Sequence, residues 1–285
     1  MIFSFRYGLG LGMELLALGG MVWAALRRRP EGLVLLSFFV YFLFIGNGRW
    51  VFTRYTIPMV PVMLILGAGF VVWLGDRCGR LRVPALWGLV GLVLAGPVYG
   101  VARLDRLLLR EDTRLLASAW VREHIPDGTT LALHGGYSGE PQLPESEEML
   151  RERAKGQAGP NRDTYLLEHP VHPRYNLVRF GRFYPADRVL DGWMEREYDL
   201  TAFRSRGISY VVTQESPLRT YARMDEGMRA ILEAHATPVA VFDPFSPGSS
   251  PRPVYDSIDA FFVPMAGFSG VERPGPKIAI YRLDR

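Results

Sequence analysis

Before Arg103 the chain holds four long apolar stretches, and a polypeptide with so many uncharged residues in a row has few ways to fold. Tyr55–Gly75 carries no charge over 21 positions, and Val83–Ala102 none over 20. Hydrocarbon about 30 Å thick is crossed by roughly 20 helical residues, so each of these two can span. Gly32–Gly48 is also uncharged and dense in Phe and Leu, as in Phe38-Phe-Val-Tyr-Phe-Leu-Phe44. Tyr7–Leu26 is interrupted by Glu14 alone. A buried helix of a soluble protein accounts for any one stretch. A signal peptide also accounts for one at an N-terminus, but not for four in succession.

The expectation is therefore a membrane all-α region of about four transmembrane helices followed by a small α/β extracytoplasmic domain. The spans fall near residues 7–26, 32–48, 55–75 and 83–102, within a membrane region 1–111 and a soluble region 112–285. Orientation follows from arginine counts in short loops. Arg27, Arg28, Arg29, Arg77, Arg80 and Arg82 fall on one side, against Arg6, Arg49 and Arg54 on the other. The richer side is cytoplasmic by the positive-inside rule. The Asn47–Arg54 loop and the C-terminal domain then lie outside a bacterial inner membrane, in a multi-pass arrangement.

Composition adds limits. Of 33 basic residues only Lys155 and Lys277 are lysines, and no basic run is interleaved with aromatics, which argues against nucleic-acid binding. The single cysteine, Cys78, excludes an intramolecular disulfide. No phosphate-binding loop, dinucleotide fingerprint, zinc spacing or Gly-x-Ser-x-Gly elbow occurs, so neither cofactor nor metal is expected.

After Arg103 the pattern changes to short alternating elements. Helices are predicted over Leu115–Ile125, around Glu145–Ala154, over Leu200–Ser205 and over Tyr221–His235. Strands are predicted over Thr129–His134, Ile208–Thr213, Pro238–Phe242 and Lys277–Arg282. Asp112 or Thr113 opens the first helix. The polar run from Gly139 to about Arg162 reads as a loop around one short helix. The Pro/Gly/Ser-rich run between Phe245 and Gly275 reads as an ordered excursion around Ala260-Phe-Phe-Val263.

Few residues carry chemistry. His169-Pro-Val-His172 reads as an extended surface loop rather than a metal site, because the proline forbids a helical ligand pair. His134-Gly135-Gly136 reads as a strand closed by a glycine turn. Glu14 is either a functional carboxylate in hydrocarbon or an interfacial one, if the span begins near Leu15. Arg49 and Arg54 are either solvated interfacial arginines or guanidiniums placed to meet a phosphate, which the planar fork matches with paired hydrogen bonds.

Arg54-Tyr-Thr-Ile-Pro58, running through Pro61 into an apolar helix, resembles the Arg-Tyr-x-x-Pro-x-x-Pro stretch of bacterial GT-C glycosyltransferases, of the dolichyl-phosphate-mannose mannosyltransferase and aminoarabinose-transferase type. Asp112-Thr-Arg114 leading to Ala119–Gly128, Arg206-Gly-Ile-Ser-Tyr-Val-Val212 and the closing Gly275–Leu283 are similar to the C-terminal region of those enzymes. The resemblance implies a polyprenyl-phosphate-linked sugar donor, with Arg54, helped by Arg49 and Tyr55, on its phosphate. Such enzymes carry a catalytic carboxylate in the first outer loop, and no acidic pair follows the first apolar stretch here. The resemblance therefore extends to the C-terminal portion only. It implies no catalytic residue in this chain, a missing N-terminal catalytic half as partner, and no transferase activity in isolation. The other reading is a non-catalytic membrane-anchored module whose outer domain binds a partner or an envelope glycan.

Overall fold

A computed structural model describes every residue except 1, 28–30, 49–52, 136–138, 156–158, 160, 181–193, 196–198, 219–221, 257–261 and 285. The chain divides into two compact units. The helical unit comprises Met1–Arg106, Arg252–Ala260 and Pro264–Ser269, and the α/β unit holds the remainder.

The helical unit contains α1 (Ile2–Leu9), α2 (Leu11–Arg27), α3 (Glu31–Gly46), α4 (Met59–Gly75) and most of α5 (Arg82–Leu108). Its core is built by residues spaced three and four apart, Ala17, Met21 and Ala24 on α2 with Met59, Met63 and Leu66 on α4. Glycines let the two backbones touch. A Cβ on Gly20 would stand 2.2 Å from the carbonyl oxygen of Leu66, and one on Gly67 would stand 3.4 Å from the nitrogen of Ala17. Such close crossings through small residues are the usual way apolar helices pack without a hydrophobic drive between them.

Four transmembrane helices are not found. One helical stretch among the described residues, Met59–His124 from α4 through α5 to α6 (Thr113–His124), is long and apolar enough to cross a membrane. A second is reached only if the pair Phe3–Leu9 and Leu11–Leu26, bent by 116°, counts as one span. The reason is local. Gly10 takes φ 81° and breaks the first apolar stretch, leaving α2 with 17 residues, and α3 has only 16. At 1.5 Å per residue these helices are about 25 Å long, short of hydrocarbon about 30 Å thick. Uncharged length in sequence overstated helical length. The inside–outside alternation drawn from the arginine counts rested on four crossings and falls with them. What stands is membrane association through the one long stretch. On α5, Trp87 is 73% and Leu92 76% exposed, with Val98, Tyr99 and Val101 beside them, a surface suited to lipid rather than water.

The α/β unit is a six-stranded mixed sheet between two helical layers. Its elements after α6 are β1 (Thr130–His134), α7 (Glu147–Lys155), α8 (Arg162–Glu168), β2 (Asn176–Phe180), β3 (Met194–Glu195), α9 (Leu200–Ser205), β4 (Ile208–Glu215), α10 (Glu226–His235), β5 (Ala236–Phe242) and β6 (Lys277–Leu283). The order across the sheet is β3-β2-β1-β4-β6-β5; β1 to β4 run parallel, and β6 is antiparallel to both neighbours. Alternation of side chains sorts the core into two faces. Leu131, Leu133, Tyr175, Leu177 and Val212 pack under Ala117 and Val121 of α6. Ala132, Phe180 and Val211 pack under Phe203 of α9 and Met228 and Leu232 of α10. Pro238 sits in β5, an edge strand, where a missing N–H is tolerated.

Asp112 caps α6: its carboxylate accepts the backbone N–H of Arg114 at 2.8 Å and two hydrogen bonds from the Arg114 guanidinium, at 2.8 and 2.6 Å. Asp112→Ala is expected to cost about 1–2 kcal/mol of stability, read as a lowered thermal midpoint of the purified chain. An unchanged midpoint would show the cap to be redundant.

Candidate functional site

The apolar helix α4 is preceded by a 3-10 turn, Thr53–Thr56, and Pro58 directly precedes the helix. The turn closes on itself: Thr56 Oγ1 donates to the carbonyl of Thr53 at 2.7 Å, and the N–H of Ile57 to the carbonyl of Arg54 at 3.2 Å. From α3, the Tyr41 hydroxyl donates to the carbonyl of Tyr55 at 3.1 Å. From α1, Ser4 Oγ donates to Thr53 Oγ1 at 3.5 Å. Thr53 Oγ1 in turn donates to Oδ2 of Asp256 at 2.7 Å, a residue 203 positions away. The guanidinium carbon of Arg54 lies 5.6 Å from the centroid of the Tyr55 ring, within cation–π range.

Asp256 belongs to the excursion between β5 and β6, and its side chain is buried, 8% exposed. An antiparallel bridge fixes the excursion: Val254 N–H donates to Ala266 O at 2.9 Å and Met265 N–H to Val254 O at 2.7 Å. Arg103 of α5 donates to the carbonyl of Phe268 at 3.4 Å. Burial beside Asp256 pushes the Tyr255 phenol up to about 12. The turn thus presents one guanidinium and one phenol ring at the mouth of an apolar helix, with a buried carboxylate one hydrogen bond behind it. That chemistry suits a ligand with an anionic head and an apolar tail.

Of the residues singled out from sequence, Arg54 and Tyr55 share this turn, whereas Arg49 lies outside the described residues. Glu14 is in the first turn of α2, where a negative charge suits the helix dipole, and its Oε2 stands 3.9 Å from Nη1 of Arg6 across the bend at Gly10. Asp256 was not foreseen: it lies in a Pro/Gly/Ser-rich run, and nothing local marks it as a partner of Thr53.

The α/β unit has a second polar region. Chain order reverses between β1 and β4, the switch point at whose carboxyl edge open sheets usually hold ligands. His134 ends β1, fully buried, with Nε2 3.4 Å from Oδ2 of Asp225. Asp225 Oδ1 also accepts Arg223 Nη2 at 3.2 Å. On β4, Gln214 has 0% exposure, and neither end of its amide has a hydrogen-bond partner among the described residues. Gly135, at φ 126°, lies against it, since a Cβ there would meet the Gln214 carbonyl oxygen at 2.7 Å. Across β1, Arg179 of β2 is held by Glu140 and Glu145, both at 3.0 Å. Arg153 joins Glu145 and makes a two-point contact with Asp163 at 3.0 and 2.8 Å. Burial raises the Glu140 carboxyl above its ordinary range, against the pull of Arg179.

His169 caps the end of α8 and stacks on Tyr165 with 4.2 Å between ring centroids, and His172 Nδ1 lies 3.5 Å from Asp127. Among the described residues, no group of three His, Cys, Asp or Glu side chains could hold a metal ion. No protein-family model matches the chain, and no curated protein or solved structure matches it either.

Proposed function

We propose that this chain is the donor-binding portion of a membrane glycosyltransferase that uses a polyprenyl-phosphate-linked sugar, with the Arg54 turn as its phosphate site. The observation that carries the reading is the mounting of that turn. A guanidinium sits at the start of an apolar helix; next to it the Thr53 hydroxyl accepts from Ser4 of α1 and donates to Asp256 of the excursion, and the Tyr55 carbonyl accepts from Tyr41 of α3. A lipid phosphate needs that pairing: a charged fork for the head group and an apolar wall for the chain. In this reading Tyr55 flanks the guanidinium, Arg49 is a second phosphate ligand, and the α/β unit covers or selects the acceptor.

The test is binding of a polyprenyl phosphate to the purified chain in nanodiscs. Arg54→Ala is expected to weaken it roughly ten- to a hundredfold, the cost of losing charge-assisted hydrogen bonds. Arg54→Lys should recover part of the loss, because the charge returns without the fork. Equal affinity in Arg54→Ala and the parent would remove the turn from the site.

One observation favours a second reading, a membrane-anchored binding module without catalysis. The buried Gln214 amide, without a hydrogen-bond partner among the described residues, and the His134–Asp225 pair lie at the switch point of the sheet. Under that reading Gln214→Leu abolishes capture of an envelope glycan, while Arg54→Ala does not.

A further inference from the structure

Independently of the Arg54 turn, we propose that the segment joining α4 to α5 binds the head group of an anionic phospholipid, with Arg80 and Arg77 as its phosphate ligands. The segment, Asp76–Leu81, is a short 3-10 stretch without a buried residue, and Arg82 follows it directly. Three arginines less one aspartate leave residues 76–82 with a net charge of +2.

The three guanidiniums differ in what they have left to offer. Arg82 is spent on Asp76, with Nε 3.1 Å from Oδ1. Arg77 lies over the indole of Trp73, its guanidinium carbon 3.9 Å from the ring centroid. That contact uses the face of the guanidinium, and the N–H groups at its edge stay able to donate. Arg80 makes no hydrogen bond, ion pair or ring contact among the described residues. Between Arg77 and Arg80, Gly79 takes φ 53° and ψ −120°, which only glycine adopts without strain, so a turn rather than helix periodicity sets the pair.

Two observations point to lipid rather than to a dissolved anion. Charge alternates with exposed hydrocarbon in Arg80-Leu-Arg-Val83, where Leu81 is 67% and Val83 62% exposed. Such a mixture suits the boundary between head groups and acyl chains. The second is depth. From Arg82 to Arg103, α5 runs through the 20 uncharged residues Val83–Ala102. At 1.5 Å per residue that is about 30 Å, the thickness of the hydrocarbon layer. With α5 across the membrane, the turn is held at the level of the lipid phosphates. The phosphate of a zwitterionic lipid is partnered by its own cation, whereas an anionic lipid leaves its charge to arginine. One basic group at an anionic surface is worth about fivefold in affinity.

The experiment titrates the detergent-solubilised full chain with radiolabelled dioleoylphosphatidylglycerol and, separately, with dioleoylphosphatidylcholine, which has the same acyl chains. The parent is expected to prefer the anionic lipid about tenfold at low salt, and less as salt rises. Arg80→Gln should cut the preference about fivefold, and Arg77→Gln about two- to fivefold. Asp76→Asn combined with Arg82→Gln keeps the net charge and should change the preference less than about twofold. Arg204→Gln, on α9, should leave it unchanged. Equal binding of the two lipids by the parent overturns the proposal. So does a preference that survives Arg77→Gln and Arg80→Gln together, or one that Arg204→Gln lowers as much as Arg80→Gln does, since total charge would then account for it. Loss of the preference in Arg54→Ala overturns it as well, by moving the lipid to the other turn.

Discussion

Arg179→Ala is expected to destabilise the α/β unit by about 3–5 kcal/mol, because it strands buried carboxylates rather than because it removes contacts. Arg179 holds Glu140 and Glu145, whose side chains are 14% and 9% exposed. Glu145 keeps Arg153 as a partner, but Glu140 has no other ion pair among the described residues. The penalty therefore concentrates on Glu140, whose pKa burial has already raised with Arg179 in place. Its sign with pH follows. A carboxyl with a raised folded pKa is disfavoured by the fold as the anion, so its cost is full above that pKa. The cost is relieved as pH falls through it and the folded protein takes up a proton. Without Arg179 the raising effect is unopposed. The stability gap between parent and variant should narrow as pH drops from about 8 to 5, and adding Glu140→Gln should close most of it at neutral pH. Thermal unfolding of the purified chain reads this as a midpoint loss of roughly 10 °C. A small loss that does not vary with pH would mean that the network is a solvated surface cluster.

Gly20→Ala is expected to be as damaging in the helical unit, by a steric route. The added Cβ would sit 2.2 Å from the carbonyl oxygen of Leu66, 2.4 Å from its carbon and 2.9 Å from the nitrogen of Gly67. All three are backbone atoms, so no side chain can rotate to make room. The only relief is for α2 to slide off α4, opening the core of Ala17, Met21, Met63 and Leu66. Overpacking of this kind costs about 1–3 kcal/mol and more where backbone is struck. Gly88→Ala on α5 is the control. Nothing lies within 4 Å of its would-be Cβ, and alanine is the better helix former by up to about 1 kcal/mol. One methyl group should therefore lower the thermal midpoint at Gly20 and leave it level or higher at Gly88. The same midpoint in both variants would show that α2 and α4 do not cross at Gly20.

The α/β unit was largely readable in sequence, for a physical reason. β1, β4, β5 and β6 are short β-branched runs closed by turn residues, and each lies within about two residues of its expected bounds. The helix Leu200–Ser205 coincides with α9, because Gly207 at φ 66° stops it. β2 was missed because Arg179 interrupts its apolar alternation, and the carboxylates that make an inward arginine tolerable lie more than thirty residues upstream. α8, just past the run Gly139–Arg162 that reads as loop, was missed, although Asn161 and Thr164 form a reciprocal capping box at its start. In the helical unit, charge-free length was mistaken for helix length. A glycine at position 10 can continue a helix or break it, and only packing decided. The same limit applies to the site. Arg54-Tyr55 stands out as a motif, whereas Asp256 is one acid in a run of prolines, glycines and serines, and its role exists only through a fold that brings it to Thr53.

The excursion between β5 and β6 also has a temporal side. The helical unit is discontinuous along the chain: its last pieces, Arg252–Ala260 and Pro264–Ser269, are synthesised after most of the sheet. At about 5–20 residues per second, the 203 positions between Thr53 and Asp256 correspond to roughly 10–40 s on the ribosome. During that interval the Arg54 turn is already made but lacks the carboxylate that will hold it. Biogenesis therefore passes through a stage in which the first helices must persist unfinished, and a chain released before Asp256 emerges would carry Thr53 without that hydrogen bond.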